Sequence, residues 1–319
     1  MAISKFLNPK NDVAFKKIFG SEKNQDIIIH FINNILELKG EEAIEYVELI
    51  STVQDPEIAA KKQSIVDVLC RDKRGVQIIV EMQASPQQGF EKRAQYYAAK
   101  AYTQQLGSGK GGKYQNLKAV IFIAICDYTL FPEKAAYWSE HRILDKHTYQ
   151  HDLQDFHFVF LELSKFKKVD VETLQGVIEK WCYFFKYGEQ ATEKQVAAIA
   201  KNDPMIAKAY EALNQFNWSE QEMRAYDQET KRVMDNIAVE DYIKDHAWRE
   251  GMQKGMQKGM QKGIEKGIEE GMTKGIAQGK QQEKLHIAKS MLFQLHLDPK
   301  IVSQVTGLSL EELQQLEER

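Results

Sequence analysis

Apolar positions at helical spacing open the chain. Ile27, Ile28, Phe31, Ile32, Ile35 and Leu36 recur at i, i+3 and i+4 within residues 23–38 and predict an amphipathic helix. Three short runs rich in β-branched residues follow, at 46–53, 64–70 and 76–82, each of strand length. The second and third flank Arg71-Asp72-Lys73-Arg74-Gly75, a polar turn with a late glycine, and read as a β-hairpin. Helical spacing returns over 87–106, through Phe90, Ala94, Tyr97, Ala98, Ala101 and Leu106. A Gly/Ser/Lys loop at 107–112 leads into a nearly continuous apolar run at 117–126, the pattern of a strand covered on both faces. Helix, three strands, helix, strand is the order of a layered α/β unit.

A further strand is expected at 156–163. From 171 to about 247 the pattern is helical, with breaks at Gly188, Pro204 and Trp218-Ser219, and its frequent Tyr and Trp read as the core of a helical extension. Residues 251–279 form a tetrapeptide array with glycine at every fourth position, followed by Met or Ile in the first seven repeats. Two readings stay open. Each glycine costs a helix roughly 1 kcal/mol relative to alanine, which favours a flexible tether. Small residues four apart also let two helix backbones approach closely, and the Met/Ile column adds apolar contact. A charged or amide residue in nearly every repeat forbids a bilayer, and a period longer than 3.6 drifts in the right-handed sense.

In the tail, Ser309 with Glu312 reads as a capping box and Leu308 with Leu313 as a hydrophobic staple. The pattern around residues 305–309 invites a helix-turn-helix reading. Glu311, Glu312, Glu317 and Glu318 against Arg319 have the wrong sign for phosphate, so this element is expected to bind protein, another copy of the chain first. The expected domains are 1–168 (α/β core), 169–247 (helical extension), 248–282 (glycine array) and 283–319 (small helical self-association element).

Composition narrows the class. The chain has 319 residues, 43% of them apolar, enough for a real core and as a prior about two domains. No run approaches the ~20 apolar residues of a membrane span, and the first residues lack a signal-peptide core. Cys70, Cys126 and Cys182 form no CxxC pair, which argues against a disulfide framework or structural zinc and for a reduced, cytoplasmic protein. The net charge of −3 hides a local excess: residues 61–118 hold eleven Lys/Arg against four Asp/Glu.

The predicted hairpin carries the chemistry. Asp67 interrupts one apolar strand, and Glu81 and Gln83 end the next, on the face opposite Val80 and Met82. With the turn centred near Arg74, Asp67 lies opposite Glu81. Two carboxylates facing each other across strands destabilise a hairpin, unless a divalent cation is meant to sit between them. The competing reading is a solvated sheet face with both acids paired to nearby Lys or Arg. Lys61, Lys62, Arg71, Lys73, Arg74, Lys92, Arg93 and Lys100 surround the pair in sequence, a basic rim of the kind a phosphodiester-cleaving site needs. His141, His147, His151 and His157 lack the spacing of a metal motif, and the 107–112 loop lacks a phosphate-loop frame.

With these residues the chain resembles the Rpn family of recombination-promoting nucleases and transposase-like proteins, within the PD-(D/E)XK nuclease superfamily. Residues 8–20, 64–69 and 80–83, Arg93 with Tyr96-Tyr97, Tyr114, residues 162–166 and the glycine array carry the likeness. The resemblance implies a restriction-endonuclease-like αβββαβ core and a Mg²⁺-dependent DNA endonuclease (Mn²⁺ or Ca²⁺ as substitutes) whose breaks promote recombination. Asp67 and Glu81 would be metal ligands, with the Met82 carbonyl as a third. Gln83 would orient the attacking water, and Lys16, Lys62, Lys73, Arg74, Lys92, Arg93 and Lys100 would contact DNA. The C-terminal region would form a homodimer or higher homo-oligomer. Two departures stand out: Val66, not a proline segment, precedes Asp67, and Gln83 replaces the motif's lysine. Glu-x-Gln is a variant within the family. Either a relocated cation (Lys16, Lys62 or Lys100) compensates, or turnover is slow; the alternative function is a catalytically weak or inactive nuclease-like module that binds DNA or protein.

Overall fold

The computed structural model describes residues 4–50, 53–54, 64–106, 113–201 and 203–317. It divides into two compact units, 1–234 and 235–319. Lys61, Lys62 and the 107–112 loop lie outside the described residues.

The first unit opens with helices α1 (Asp12–Phe19) and α2 (Gln25–Ile35). Asn11 caps α1, its side-chain oxygen accepting from the N–H groups of Val13 and Ala14. The strands in chain order are β1 (Val47–Leu49), β2 (Val53–Gln54), β3 (Ser64–Ile65) and β4 (Val68–Asp72). Then come β5 (Gln77–Gln83), β6 (Val120–Cys126), β7 (Trp138–Arg142) and β8 (Phe156–Glu162). Strands β2 and β3 form a two-stranded ribbon; the other six form a sheet in the order β1-β4-β5-β6-β8-β7. The sheet is mixed: β5–β6 and β6–β8 are parallel, and the remaining pairs antiparallel. Helix α3 (Phe90–Gln104) links β5 to β6, as a parallel crossover requires.

Both faces of the sheet are covered. On one, Ile78, Val80, Met82, Ile123 and Leu161 pack with the aromatic side chains of α1 and α2 and of α4 (Gly176–Tyr187). Phe19, Phe31, Trp181 and Phe185 stack or meet edge-on there, at ring centroids of 5.3–6.1 Å. On the other face, Ile79, Phe122, Ala124 and Phe160 receive Phe90, Ala94, Ala98 and Ala101 of α3. The alternation along β5 therefore buries both sets, and Glu81 and Gln83 share the α3 side with Ile79.

The helical extension breaks as the sequence indicates. Gly188 ends α4, α5 is Glu193–Ala200, Pro204 opens α6 (Pro204–Leu213), and α7 starts after Trp218-Ser219 at Glu220. The hairpin register matches the predicted turn, with Arg71 opposite Gln77. The predicted strands at 46–53 and 64–70 are each interrupted, so β1 and β4 are shorter than the runs suggest. Asp67 sits at the bend between β3 and β4. The edge strand β7 and helix α1 were not foreseen.

Helix α7 (Glu220–Lys289), which belongs to the second unit from Asp235 onward, continues as helix through all eight glycines of the array, and a Cβ built at any of them meets nothing within 4 Å. A π-turn at Ser290–Gln294 precedes α8 (Pro299–Thr306) and α9 (Leu310–Glu317). Ala288, Leu292, Val302, Leu308 and Leu313 form a small core. The capping box is present: Ser309 N–H donates to Glu312 at 2.8 Å, and Glu312 N–H to Ser309 Oγ at 3.2 Å.

Candidate active site

The β4–β5 register pairs Val68 with Val80, and one further step places Asp67 opposite Glu81. The two acids are joined through backbone N–H groups. Asp67 N–H donates to Glu81 Oε1 at 3.3 Å, and Met82 N–H donates to Asp67 Oδ2 at 2.8 Å. In a strand the N–H and C=O of one residue leave the same edge, so the Met82 carbonyl faces the Asp67 side of β5 as well. Glu81 is 2% exposed and Gln83 7%, whereas Asp67 stays partly open to solvent.

Gln83 bridges Glu81 to a cation. Its Nε2 donates to Glu81 Oε2 at 2.9 Å, and its Oε1 accepts from Arg93 Nη2 at 2.7 Å. Arg93 reaches there from α3, also bonded to Gln87, with its guanidinium 4.9 Å from the Phe90 ring centroid and 5.8 Å from that of Tyr97. Arg93 Nε is buried and has no hydrogen-bond partner among the described residues. A buried donor without an acceptor is costly, and it marks a place where an anion would be welcome.

Burial raises both carboxyls. Glu81 is pushed up by desolvation first and then by the charge of Asp67, with Arg93 opposing. Asp67 is pushed up by desolvation and by Asp12, against the Met82 N–H, Lys16 and Arg93. Neither acid forms an ion pair with Lys or Arg among the described residues, and Glu81 is buried rather than on a solvated face. Asp12, in the first turn of α1, was not singled out from the sequence. Its position after an Asn cap reads as an ordinary helix start, and only the fold brings its charge near Asp67. Lys16 pairs with Asp12 at 2.8 Å. Burial lowers the Lys16 pKa, but Asp12, Asp67 and Glu81 outweigh that and leave it raised.

The predicted basic residues divide. Arg93 and Lys16 come to the acids. Lys73 and Arg74 stand at the turn, the far end of the hairpin, held by Glu45 at 3.2 Å and Asp72 at 2.8 Å. Lys92 is exposed on α3, Lys100 is half-buried a turn beyond Tyr97, and Lys62 falls outside the described residues. Among the described residues, Lys73 and Arg74 therefore stand away from the acid pair. Another buried acid, Glu162, is a clamp: it accepts from Leu130 N–H at 2.6 Å, Phe131 N–H at 2.9 Å and Lys165 Nζ at 2.7 Å. His157 faces Glu140 at 2.8 Å and is lowered to about 4 by burial first.

Among the described residues no group of three or more His, Cys, Asp or Glu converges on one metal-sized point. Two carboxylates, a backbone carbonyl and a neighbouring amide are nonetheless hard oxygen donors. They fit an ion that keeps several waters, as Mg²⁺ does, rather than one that needs a full protein cage.

A mixed sheet, with an acid at the bend into one strand, Glu-x-Gln closing the next and a helix over that face, defines a PD-(D/E)XK nuclease-like domain. A family model described as PD-(D/E)XK nuclease family transposase matches residues 9–242, and the chain belongs to that family. No curated protein and no solved structure matches the chain. No helix among the described residues is long and apolar enough to cross a membrane.

Proposed function

We propose that the chain is a divalent-metal-dependent DNA endonuclease of the cytoplasm, hydrolysing phosphodiester bonds and leaving breaks that promote recombination. The carrying observation is the pair Asp67 and Glu81, raised by burial and unpaired by any Lys or Arg among the described residues. Asp67, Glu81 and the Met82 carbonyl would hold the ion, Mg²⁺ first and Mn²⁺ or Ca²⁺ as substitutes. At such a site a bound divalent ion supplies polarisation of the phosphoryl oxygen and a more acidic water.

The chain's own groups divide the remaining work. Gln83 uses one N–H on Glu81 and one lone pair on Arg93, which leaves one N–H and one lone pair to orient water. Arg93 supplies the positive charge that a lysine at position 83 would have carried, held there by its bond to Gln83. Self-association through the C-terminal region would bring two such sites to one duplex.

Plasmid nicking with Mg²⁺ tests this reading, comparing the native chain with Asp67→Asn and Glu81→Asn. Native nicking and a loss on the order of 10²-fold or more in each variant are expected. Equal rates in all three would remove the assignment of these acids. The second reading, a nuclease scaffold kept for DNA or protein binding, is favoured by the tie of Gln83 to both neighbours. It predicts DNA retention without cleavage in native and variant chains alike.

A further inference from the structure

The array in α7 leaves an apolar column that nothing in the second unit covers. Trp248, Met252, Met256, Met260, Ile264, Ile268, Met272 and Ile276 are each 53–69% exposed. Beside this column runs the glycine lane from Gly251 to Gly279, open throughout. A helix that accepts eight poor helix formers and exposes eight large apolar side chains lacks compensation within its own chain. The array also lies beyond residues 9–242, where the family model ends.

We propose that α7 pairs in parallel and in register with α7 of a second copy of this chain, in a right-handed wrap, each Met/Ile column seated on the partner's glycine lane. This specifies the self-association proposed above and needs no part of the nuclease chemistry. A two-fold axis parallel to the helices exchanges left and right across the interface. The glycine lane of one copy then meets the apolar column of the other, and knobs enter a groove. An antiparallel pair keeps left with left, so glycine meets glycine and methionine meets methionine.

Charge makes the same choice. On the glycine side the flanking column is Lys254, Lys258, Lys262, Lys266, Glu270 and Lys274. On the apolar side it is Gln253, Gln257, Gln261, Glu265, Glu269 and Thr273. Parallel pairing sets the lysine column against the partner's amide and acidic column, with Lys262 and Lys266 beside Glu265 and Glu269 of the second copy. Antiparallel pairing sets lysines against lysines. Lys258, Lys262 and Glu269 form no ion pair within the chain among the described residues, so they are available to a partner.

The hand follows from the period. Four residues turn the helix by about 400°, so the column advances about 40° per repeat of about 6 Å. Two straight helices would lose contact after two or three repeats, whereas a right-handed wrap keeps it. Close approach over small residues spaced four apart is the geometry that crosses at about −40°.

Sedimentation of the full chain, with spin-label distances, tests the proposal. A dimer is expected. Labels on Gln253→Cys alone and on Gln278→Cys alone should each give a short intermolecular distance, about 20–25 Å with the label arms included. The native cysteines are buried and leave these sites to the label. Antiparallel pairing would separate each label from its copy by about 38 Å of helix, and long distances from both would overturn the orientation while leaving a dimer. Gly259→Leu with Gly263→Leu and Gly267→Leu fills the lane yet favours helix, so helical circular dichroism should be kept and the dimer lost. A dimer that survives those leucines, or a native chain that stays monomeric, overturns the surface itself. Neither result touches the reading of Asp67 and Glu81, which rests on nicking.

Discussion

At the scale of single residues, the acid pair has a measurable signature even before any ion binds. In the unfolded chain both carboxyls ionise near pH 4. In the folded protein burial holds their protons longer, to about 6 for Asp67 and about 8 for Glu81. As pH rises above 4 the unfolded state releases protons that the folded state keeps, so these two groups lower stability progressively up to about pH 8. Glu81→Gln removes the main part of that penalty. Chelator-treated Glu81→Gln is therefore expected to be more stable than the native chain at pH 8, on the order of 2 kcal/mol, with little difference at pH 4. Urea unfolding at the two pH values measures it, and Mg²⁺ should narrow the gap at pH 8 by stabilising only the native acid pair. Arg93→Ala has a different expected outcome: nicking falls on the order of 10²-fold while calorimetric Mg²⁺ affinity holds, and Arg93→Lys restores part of the rate. The acids were legible because carboxylates interrupt otherwise apolar strands. Arg93 was legible only as one basic residue among many, since its bond to Gln83 depends on how α3 lies over β5. Asp12 left no trace in the pattern for the same reason: the contact spans the fold, not the sequence.

At the scale of elements, the hairpin, α3 and β6 were readable because each carries a strong local signal: a polar turn closed by glycine, a buried alanine stripe, and a run apolar at nearly every position. What escaped was set by tertiary context. The chain bends at Asp67, and β7 is an edge strand whose alternation (partly exposed Trp138, buried Ser139, exposed Glu140) resembles a loop. The segment after β6 is held by the Glu162 clamp, whose role no spacing rule reveals. Removing that clamp should be severe, because Glu162 satisfies two backbone N–H groups and the nearly buried Lys165. Glu162→Ala is expected to cost about 3–5 kcal/mol, since it removes the countercharge of the Lys165 ammonium and strands two backbone donors. The midpoint of urea unfolding reports it. Glu162→Gln, which keeps acceptors for the N–H groups but loses the charge, should lose less.

At the scale of the whole molecule, the two units have cores of very different depth, and their stabilities should separate. The first unit buries aromatic side chains on one sheet face and an alanine-lined helix on the other. The second relies on five fully or nearly buried residues, Ala288, Leu292, Val302, Leu308 and Leu313, beside a helix weakened by its own glycines. One cavity there removes a large share of what holds α8 and α9 in place. Leu313, 1% exposed, is the staple partner of Leu308 across the Ser309 capping box. Truncating a buried leucine to alanine costs about 2–5 kcal/mol, enough to unfold a core of this size near room temperature. Leu313→Ala is therefore expected to abolish amide-exchange protection in α8 and α9 while leaving protection in β5, β6 and α3, and the rate of Mg²⁺-dependent nicking by a single site, unchanged. Simultaneous loss of protection in the sheet would mean that the units unfold as one. A thermal scan would then show one transition where two are expected, and the deep core of the first unit would owe its stability to the shallow core of the second.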